Sequence, residues 1–373
     1  MACHPRIYFT VTNDLSYDQR MQRICGSLAE AGYPITLVGR KLPGSRPLST
    51  APYQQHRINC FFQKGPFFYI EYNIRLFFFL LSAKMVGICA IDLDTILPVL
   101  LISRIKQVPR LYDAHELFCE MKEVVNRPVI YRLWKTIERF CVPKFQKGYT
   151  VNQPIADLFK KMYGVRYEVI RNMPLTYGSE VKPTRERFIL YQGAVNEGRC
   201  FETLIPAMQE LDMPLIICGD GNFKQKAESL TTELGLENKV IFKGMLTPVE
   251  LRQYSQSACV GITLFEKSSY NNYLSLANRF FDYIQAGTPQ LCVNYPTYKE
   301  INDKWQVACM IDNPSVDEIV NGLKKLTNNE AYWQYLHENC VLAGAVLNWE
   351  EESKKLIEFY QGIFGKASSY HHS

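Results

Sequence analysis

Three residues in the last third of the chain could together hold an anion and a sugar: Asn278, Arg279 and Asp282, within NNYLSLANRFFDYIQAGTP (271–289). The segment reads as a polar stretch, a helix and a Gly-Thr-Pro stop, leading into the strand-like run 291–294. Asn278 stands at the predicted N-cap, where a short polar side chain accepts from the open amides of the first turn. Arg279 and Asp282 lie three apart, on one side of that turn. Open amides, a positive helix end, a guanidinium and a carboxylate suit a nucleoside diphosphate with a ribose to grip. Taken alone, the segment reads equally well as a solvated Arg–Asp pair on an ordinary amphipathic helix.

In parallel α/β folds ligands bind beyond the carboxyl ends of the strands, so the residues after each strand-like run are the next candidates. After the first run comes TNDLSYDQR (12–20). An Asx turn and a helix cap account for Asn13 and Asp14, which leaves Asp18 and Arg20 to hold a polar substrate. YDAHE (112–116) places His115 between Asp113 and Glu116. A lone histidine is usually structural, but one with two carboxylate neighbours at a strand end is a site candidate. In QGAVNEGR (192–199), Gly193 and Gly198 free the backbone for close approach, and Arg199 precedes a helix start where a phosphate would sit. Gly219-Asp220-Gly221 is a further tight turn. No complete G-x-G-x-x-G occurs in either half, which disfavours a dinucleotide-dependent dehydrogenase. Asp92-Leu93-Asp94 spells D-x-D in the first half and reads as structural or acceptor-side.

The elements that must position these residues alternate in period. Arg6–Val11 reads as a strand, Gln19–Ala31 as a helix and Ile35–Arg40 as a strand, the βαβ unit of a parallel sheet. Cys60–Gln63, Ile88–Asp92, 109–116 and Gly148–Asn152 are further strand candidates, with helices at Arg132–Cys141 and Ile155–Met162. Residues 175–187 are rich in Pro, Gly and charge without periodicity, a linker by composition. From Phe188 the same grammar restarts, with strands near 188–194, 215–221, 239–244, 260–265, 291–294 and 308–311. The predicted class is α/β with two doubly wound domains, an N-terminal one over 1–174 and a C-terminal one over 188–346. Residues 347–373 form a last helix expected to return to the first domain, then a frayed tail with His371 and His372.

Composition narrows the classes. With 373 residues, 47% hydrophobic and 21% charged, the chain fits a two-domain globular protein. No signal peptide is visible, and the apolar run 76–91 is broken by Lys84, short of the ~20 residues a spanning helix needs. The twelve cysteines show no C-x-x-C, and they read as isolated thiols in a reducing cytoplasm. Residues 1–180 hold 24 Lys and Arg against 14 Asp and Glu; the remainder holds 18 against 23. The basic half could face anionic headgroups, a lipid-linked pyrophosphate or nucleic acid. Nucleic acid is disfavoured, because the basic residues are dispersed rather than striped.

In order along the chain, TNDLSYDQR (12–20), LVGRKLP (37–43), DLDT (92–95), YDAHE (112–116), IRNMP (170–174), YQGAVNEGR (191–199), ICGDG (217–221), FKGML (242–246) and LANRFFDYIQAGTP (276–289) resemble the family 4 retaining glycosyltransferases, glycosyl transferases group 1, in a bacterial branch. The resemblance implies the GT-B fold, two Rossmann-like doubly wound domains facing a cleft, and assigns acceptor binding to the N-terminal one and nucleotide-sugar binding to the C-terminal one. It implies transfer from a nucleotide sugar with retention and no metal or other cofactor. It assigns Asp282, one methylene shorter than the usual Glu, to the donor ribose, and Arg199 and Arg279 to the donor diphosphate. Gly193, Gly219 and Asn278 fall at the same donor site, and His115 matches a histidine that faces the transferred sugar. The family's first glutamate is replaced by Leu274, Glu266 is off register, and Cys200 stands where Gly is frequent.

The implied partners are a nucleotide sugar and a glycan or lipid-linked acceptor bound by the basic first domain, with Asp18, Arg20, Asp113 and Glu116 on the acceptor side. The expected setting is the cytoplasm, with peripheral contact to the anionic inner face of the membrane as an extension. Lys64–Leu81, KGPFFYIEYNIRLFFFLL, reads first as a buried core helix and second as a surface dipping into the membrane interface. Two rivals remain: a nucleotide-sugar epimerase on the same fold, and a catalytically silent sugar-nucleotide-binding subunit.

Overall fold

The computed structural model describes residues 5–16, 18–176, 185–267 and 270–366. Most of the expected linker (177–184) and the tail from 367 onward, with His371 and His372, lie outside the described residues. The chain divides into two compact units, residues 1–172 with 352–373, and residues 173–351.

The first unit is a seven-stranded parallel sheet: β1 (Arg6–Thr10), β2 (Ile35–Lys41), β3 (Gln54–Asn59), β4 (Met85–Ile91), β5 (Arg110–Ala114), β6 (Lys147–Thr150) and β7 (Glu168–Val169), in the order β3-β2-β1-β4-β5-β6-β7. Its central strands read as nearly unbroken apolar runs because helices cover both faces; Ile7, Phe9, Leu37, Ile88 and Cys89 are fully buried. α1 (Gln19–Glu30) lies between β1 and β2 in the chain, α2 (Gly65–Ser82) between β3 and β4, and α3 (Ile96–Lys106) between β4 and β5. The helix Pro128–Cys141 lies between β5 and β6. These last three crossovers all move the chain in one direction along the sheet, so their common right-handedness puts them on one face.

Two expectations are corrected here. The third strand is Gln54–Asn59, with alternating exposure as befits a sheet edge, and the apolar Cys60–Gln63 is loop. α2 is a core helix on one side only. Phe68, Tyr72, Leu76 and Leu80 are buried, while Phe67, Ile70, Ile74, Phe78 and Leu81 on the opposite side are exposed. Among the described residues no helix is long and apolar enough to cross a membrane. The described cysteines form no disulfide, and all but Cys60 are buried.

The helix Trp349–Phe364 contributes most of its length to the first unit. Its Tyr360 ring stacks on Phe9 at 5.9 Å, and the Tyr33 hydroxyl donates to the Gly365 carbonyl (2.7 Å). A Cβ on Gly87 in β4 would lie 2.4 Å from the Phe364 ring, so only glycine admits that side chain here.

The second unit is a six-stranded parallel sheet: β8 (Ile189–Gln192), β9 (Leu215–Cys218), β10 (Val240–Gly244), β11 (Val260–Thr263), β12 (Gln290–Val293) and β13 (Ala308–Ile311), in the order β10-β9-β8-β11-β12-β13. In each sheet the strand order reverses once, between β1 and β4 and between β8 and β11. Such a switch point opens a crevice at the carboxyl ends of the strands.

Candidate functional site

Arg279 occupies the switch point of the second unit. It lies in the first turn of the helix Asn278–Ala286 and is 7% exposed. Its Nη1 donates to the Gln192 carbonyl at the end of β8 (3.3 Å) and to the Tyr191 hydroxyl (3.1 Å). Its Nη2 donates to the Leu264 carbonyl just beyond β11 (3.4 Å). Every one of these acceptors is neutral, and Nε is buried with no partner. The rings of Tyr191 and Phe265 lie 4.7 and 4.6 Å from the guanidinium carbon. Among the described residues the charge is therefore held by carbonyl dipoles, a phenol and π faces, an arrangement completed electrostatically by an anion.

The helix begins one residue earlier than the sequence suggests. Ala277 takes the cap position without a side-chain cap, and Asn278 is the exposed first helical residue. The Ala277 amide is bound by the Tyr298 hydroxyl (3.1 Å), a tertiary contact that fixes the start and leaves Asn278 no capping role. The helix closes at Gly287, whose φ of +70° ends it left-handed. Arg279 is correspondingly buried rather than part of a solvated Arg–Asp pair.

Glycines make room around this cation. Gly193, at φ +118°, would place a Cβ 3.3 Å from Arg279 Nη1. A Cβ on Gly219 would fall 1.9 Å from the Gly193 carbonyl oxygen, so the ends of β8 and β9 meet closely only because Gly219 carries no side chain. Arg199 approaches from the next turn. Its guanidinium lies 4.3 Å from the Phe265 ring centre, and its Nη1 donates to Asn272 Oδ1 (3.2 Å). The two arginines thus share Phe265. Cys200 sits at φ +61°, a left-handed conformation that accounts for glycine suiting this position.

Asp282 is half-buried one turn further along and accepts from Gln192 Nε2 (2.9 Å); Gln192 Oε1 in turn accepts from Ser255 Oγ (2.5 Å). Arg199, Arg279, Asp282, Gly193 and Gly219 are thereby gathered around the carboxyl end of β8. Leu274 is buried as an apolar side chain, and the Glu266 amide donates to the Gly198 carbonyl (3.0 Å).

In the first unit the strand-end candidates form a second polar group. Arg20 Nη2 and Nε donate to the two carboxylate oxygens of Asp113 (2.7 and 3.2 Å), with Asp113 fully buried and Arg20 6% exposed. Asp18 caps α1, accepting from the Met21 amide (3.0 Å), and also accepts from Asn13 Nδ2 (3.0 Å). The helix cap is therefore Asp18, while Asp14 accepts from the Ser16 amide and pairs with Arg57 (2.7 Å). Burial assigns Arg20 and Asp113 to holding each other, with only Arg20 Nη1 left without a partner. Asp18, Arg20 and Asp113, three of the acceptor-side candidates, thus each hold a partner within the first unit.

His115 is 30% exposed, and its Nδ1 lies 3.1 Å from Asp92 Oδ2. Burial, reinforced by the Arg20 charge, pushes the His115 pKa down to about 4, which leaves the imidazole neutral at physiological pH. Burial and the neighbouring Glu116 carboxylate push Asp92 well above the usual carboxylate range. The sequence left Asp92 as structural or acceptor-side, within Asp92-Leu93-Asp94. It directly follows β4, as His115 follows β5, and its φ of +55° turns its carboxyl toward the imidazole. The rule that selected His115 applies to it equally.

Ligand atoms of Asp92, His115 and Glu116 come within 4.8 Å of one another, close enough in spacing for a metal ion. The charges fit poorly: the Arg20 guanidinium acts on both His115 and Asp92, and Nδ1 already faces a carboxylate.

Residues 177–343 match the family Glycosyl transferases group 1. An uncharacterized glycosyltransferase of Methanocaldococcus jannaschii is 23% identical over 181 residues, 47% of this chain and 45% of the relative, so the match spans less than half of that protein's length. Among solved structures, sucrose-phosphate synthase from Thermosynechococcus elongatus superposes with a TM-score of 0.78 at 14% identity, covering 96% of this chain and 99% of that one. WaaG, a glycosyltransferase involved in lipopolysaccharide biosynthesis, gives 0.74 at 16% identity over 96% and 100%. Anabaena HepE in complex with UDP-glucose gives 0.72 at 12% identity over 96% and 100%. These likenesses show the fold, which is GT-B, and the family match lies in the unit that holds Arg279.

Proposed function

We propose that the chain is a metal-independent, retaining glycosyltransferase of hexosyltransferase type. It moves a sugar from a nucleotide-sugar donor to a glycan or lipid-linked acceptor, in the building of surface polysaccharide or glycan. The observation that carries this reading is Arg279, a buried cation whose hydrogen-bond partners among the described residues are all neutral, held across the carboxyl ends of β8 and β11. A nucleoside diphosphate supplies the missing negative charge. The glycine turns at Gly193 and Gly219 let it approach the backbone, with Asn278 at the exposed helix start beside it. The Anabaena structure holds UDP-glucose in a chain of the same fold, which supports a nucleotide sugar here.

The chemical difficulty is charge on the departing diphosphate. Arg279 and Arg199 meet that charge from fixed positions on the Phe265 ring, so little reorganisation is needed as it develops. Asp282 is assigned to the ribose hydroxyls, with Gln192 orienting its carboxylate. His115, neutral because its pKa is pushed down to about 4, is assigned to a hydroxyl of the transferred sugar. Glu116 is assigned to the acceptor side. In the reaction the bond from anomeric carbon to phosphate oxygen breaks, and the acceptor oxygen bonds to the same face. The acceptor proton passes to the departing phosphate oxygen, so no separate base is required.

The test is a turnover assay with nucleotide sugars, acceptor glycans and excess EDTA, with the product's anomeric configuration read by NMR. The expected result is a retained product whose rate EDTA leaves unchanged. An inverted product, or activity abolished by EDTA and restored by a divalent cation, would contradict the mechanism. Donor conversion without acceptor would indicate the epimerase instead.

A further inference from the structure

The outer face of α2, α3 and the helix Pro128–Cys141 carries a second feature that the donor site does not use. Along α2 the exposed Phe67, Ile70, Ile74, Phe78 and Leu81 recur at spacings of three and four, a single stripe opposite the buried one. α3 adds Leu101 and Ile105, four apart, and Pro128–Cys141 adds Val129, Leu133 and Phe140. α3 packs against both neighbours, so the three stripes adjoin on one face of the sheet. Phe61 and Phe62 precede α2 at its amino end, with Phe61 85% exposed and the Phe62 and Phe67 rings 5.5 Å apart. A soluble surface rarely leaves an apolar patch of this extent uncovered.

The charges around the patch have one sign. Lys64, Arg75, Lys84, Arg104, Arg132 and Arg139 are all exposed. Over residues 61–147 no described Asp or Glu is exposed; Glu71 turns its carboxylate to the Phe61 and Phe62 amides and to Arg75. Long basic side chains beside exposed Phe, Ile and Leu match a surface that is hydrocarbon within and anionic at its rim. We propose that this face docks on an anionic lipid bilayer, with the α2 stripe and the 61–62 turn entering the interface and the arginines engaging headgroups. The amino end of α2 lies at the carboxyl edge of the sheet. It is linked to the segment following His115 by ring contacts from Tyr69 to Trp134 (5.4 Å) and from Trp134 to Phe118 (4.9 Å). Docking there brings the bilayer surface to the edge that carries His115, where a lipid-linked acceptor would arrive. The docking surface stands on the first unit alone and does not rest on the donor-site reading.

The test is cosedimentation of the full chain with phosphatidylcholine vesicles, with and without 30% phosphatidylglycerol, at low salt and at 0.5 M NaCl. The comparison uses the variants Phe67→Ser/Ile74→Ser/Phe78→Ser and Arg104→Gln/Arg132→Gln/Arg139→Gln. The expected result is binding to anionic vesicles that salt weakens and that either variant reduces at least tenfold. Circular dichroism and the thermal shift with nucleotide sugars should be unchanged in both, which separates loss of docking from loss of the fold or the donor site. Absence of wild-type sedimentation, or equal sedimentation of the variants, would overturn the proposal. So would a stable dimer in buffer that the apolar variant dissociates, since the face would then be covered by a second copy.

Discussion

Arg279 illustrates a residue retained against stability. Its partners are carbonyls and a phenol, and an uncompensated buried charge is costly. Arg279→Met should therefore leave the unliganded melting temperature unchanged or higher, while weakening nucleotide binding at least tenfold, about 1.4 kcal/mol. Calorimetry and isothermal titration on the same preparation check both halves. Asp94 offers a pH-dependent counterpart. Burial raises its pKa to about 6 despite the hydrogen bond from Thr12, so its charged form is disfavoured in the folded state. The penalty is absent below about pH 4, where Asp94 is protonated in both states, grows as pH rises from about 4 to 6, and is constant above that. Asp94→Asn should thus stabilise the chain by about 2 kcal/mol at pH 7, with the gain vanishing near pH 4. His115, with its lowered pKa, contributes with the opposite slope, losing stability as pH falls from about 6.5 toward 4. At this scale the Arg279–Asp282 spacing was legible in the sequence. The burial of Arg20 against Asp113 was not, because their meeting depends on how α1 lies against the end of β5.

The elements place these residues through tight turns. β8 and β9 run into Gly193 and Gly219, which meet where a Cβ on Gly219 would clash with the Gly193 carbonyl. Gly219→Ala should cost about 3 kcal/mol, lower the melting temperature of the second unit and abolish nucleotide binding, as read by urea denaturation and titration. Strands of central position were recognisable because apolar runs of four to seven residues bounded by Gly and Pro have few other readings. The edge strand Gln54–Asn59 was missed, because one weakly apolar face looks like loop and the more apolar Cys60–Gln63 beside it drew the assignment. α2 was misjudged for a related reason. Apolar residues on both sides of a helix read as burial all round, and hydropathy alone does not reveal that one side faces solvent.

Across the whole molecule the second unit is one continuous segment, whereas the first is completed by residues from 352 onward. Tyr360 is fully buried against Phe9 and Tyr149, so Tyr360→Ala should cost about 3–5 kcal/mol in the first unit. Differential scanning calorimetry should show that transition fall while the nucleotide-dependent stabilisation of the second unit persists. The α/β class and the doubling of the sheet were legible from the repeated strand–helix grammar on either side of residues 175–187. The central claim is that the β8–β11 switch point binds a nucleotide sugar through Arg279. Its most direct measurement is the melting temperature of the full chain with UDP-, GDP-, ADP- and dTDP-sugars, for wild type, Arg279→Met, Arg199→Ala and Asp282→Ala. A ligand at a hundred times its Kd adds about 2.7 kcal/mol, readily seen as a shift. The account predicts a shift with one nucleotide, lost in Arg279→Met and diminished in the other two; no shift with any nucleotide, or an equal shift in Arg279→Met, would contradict it.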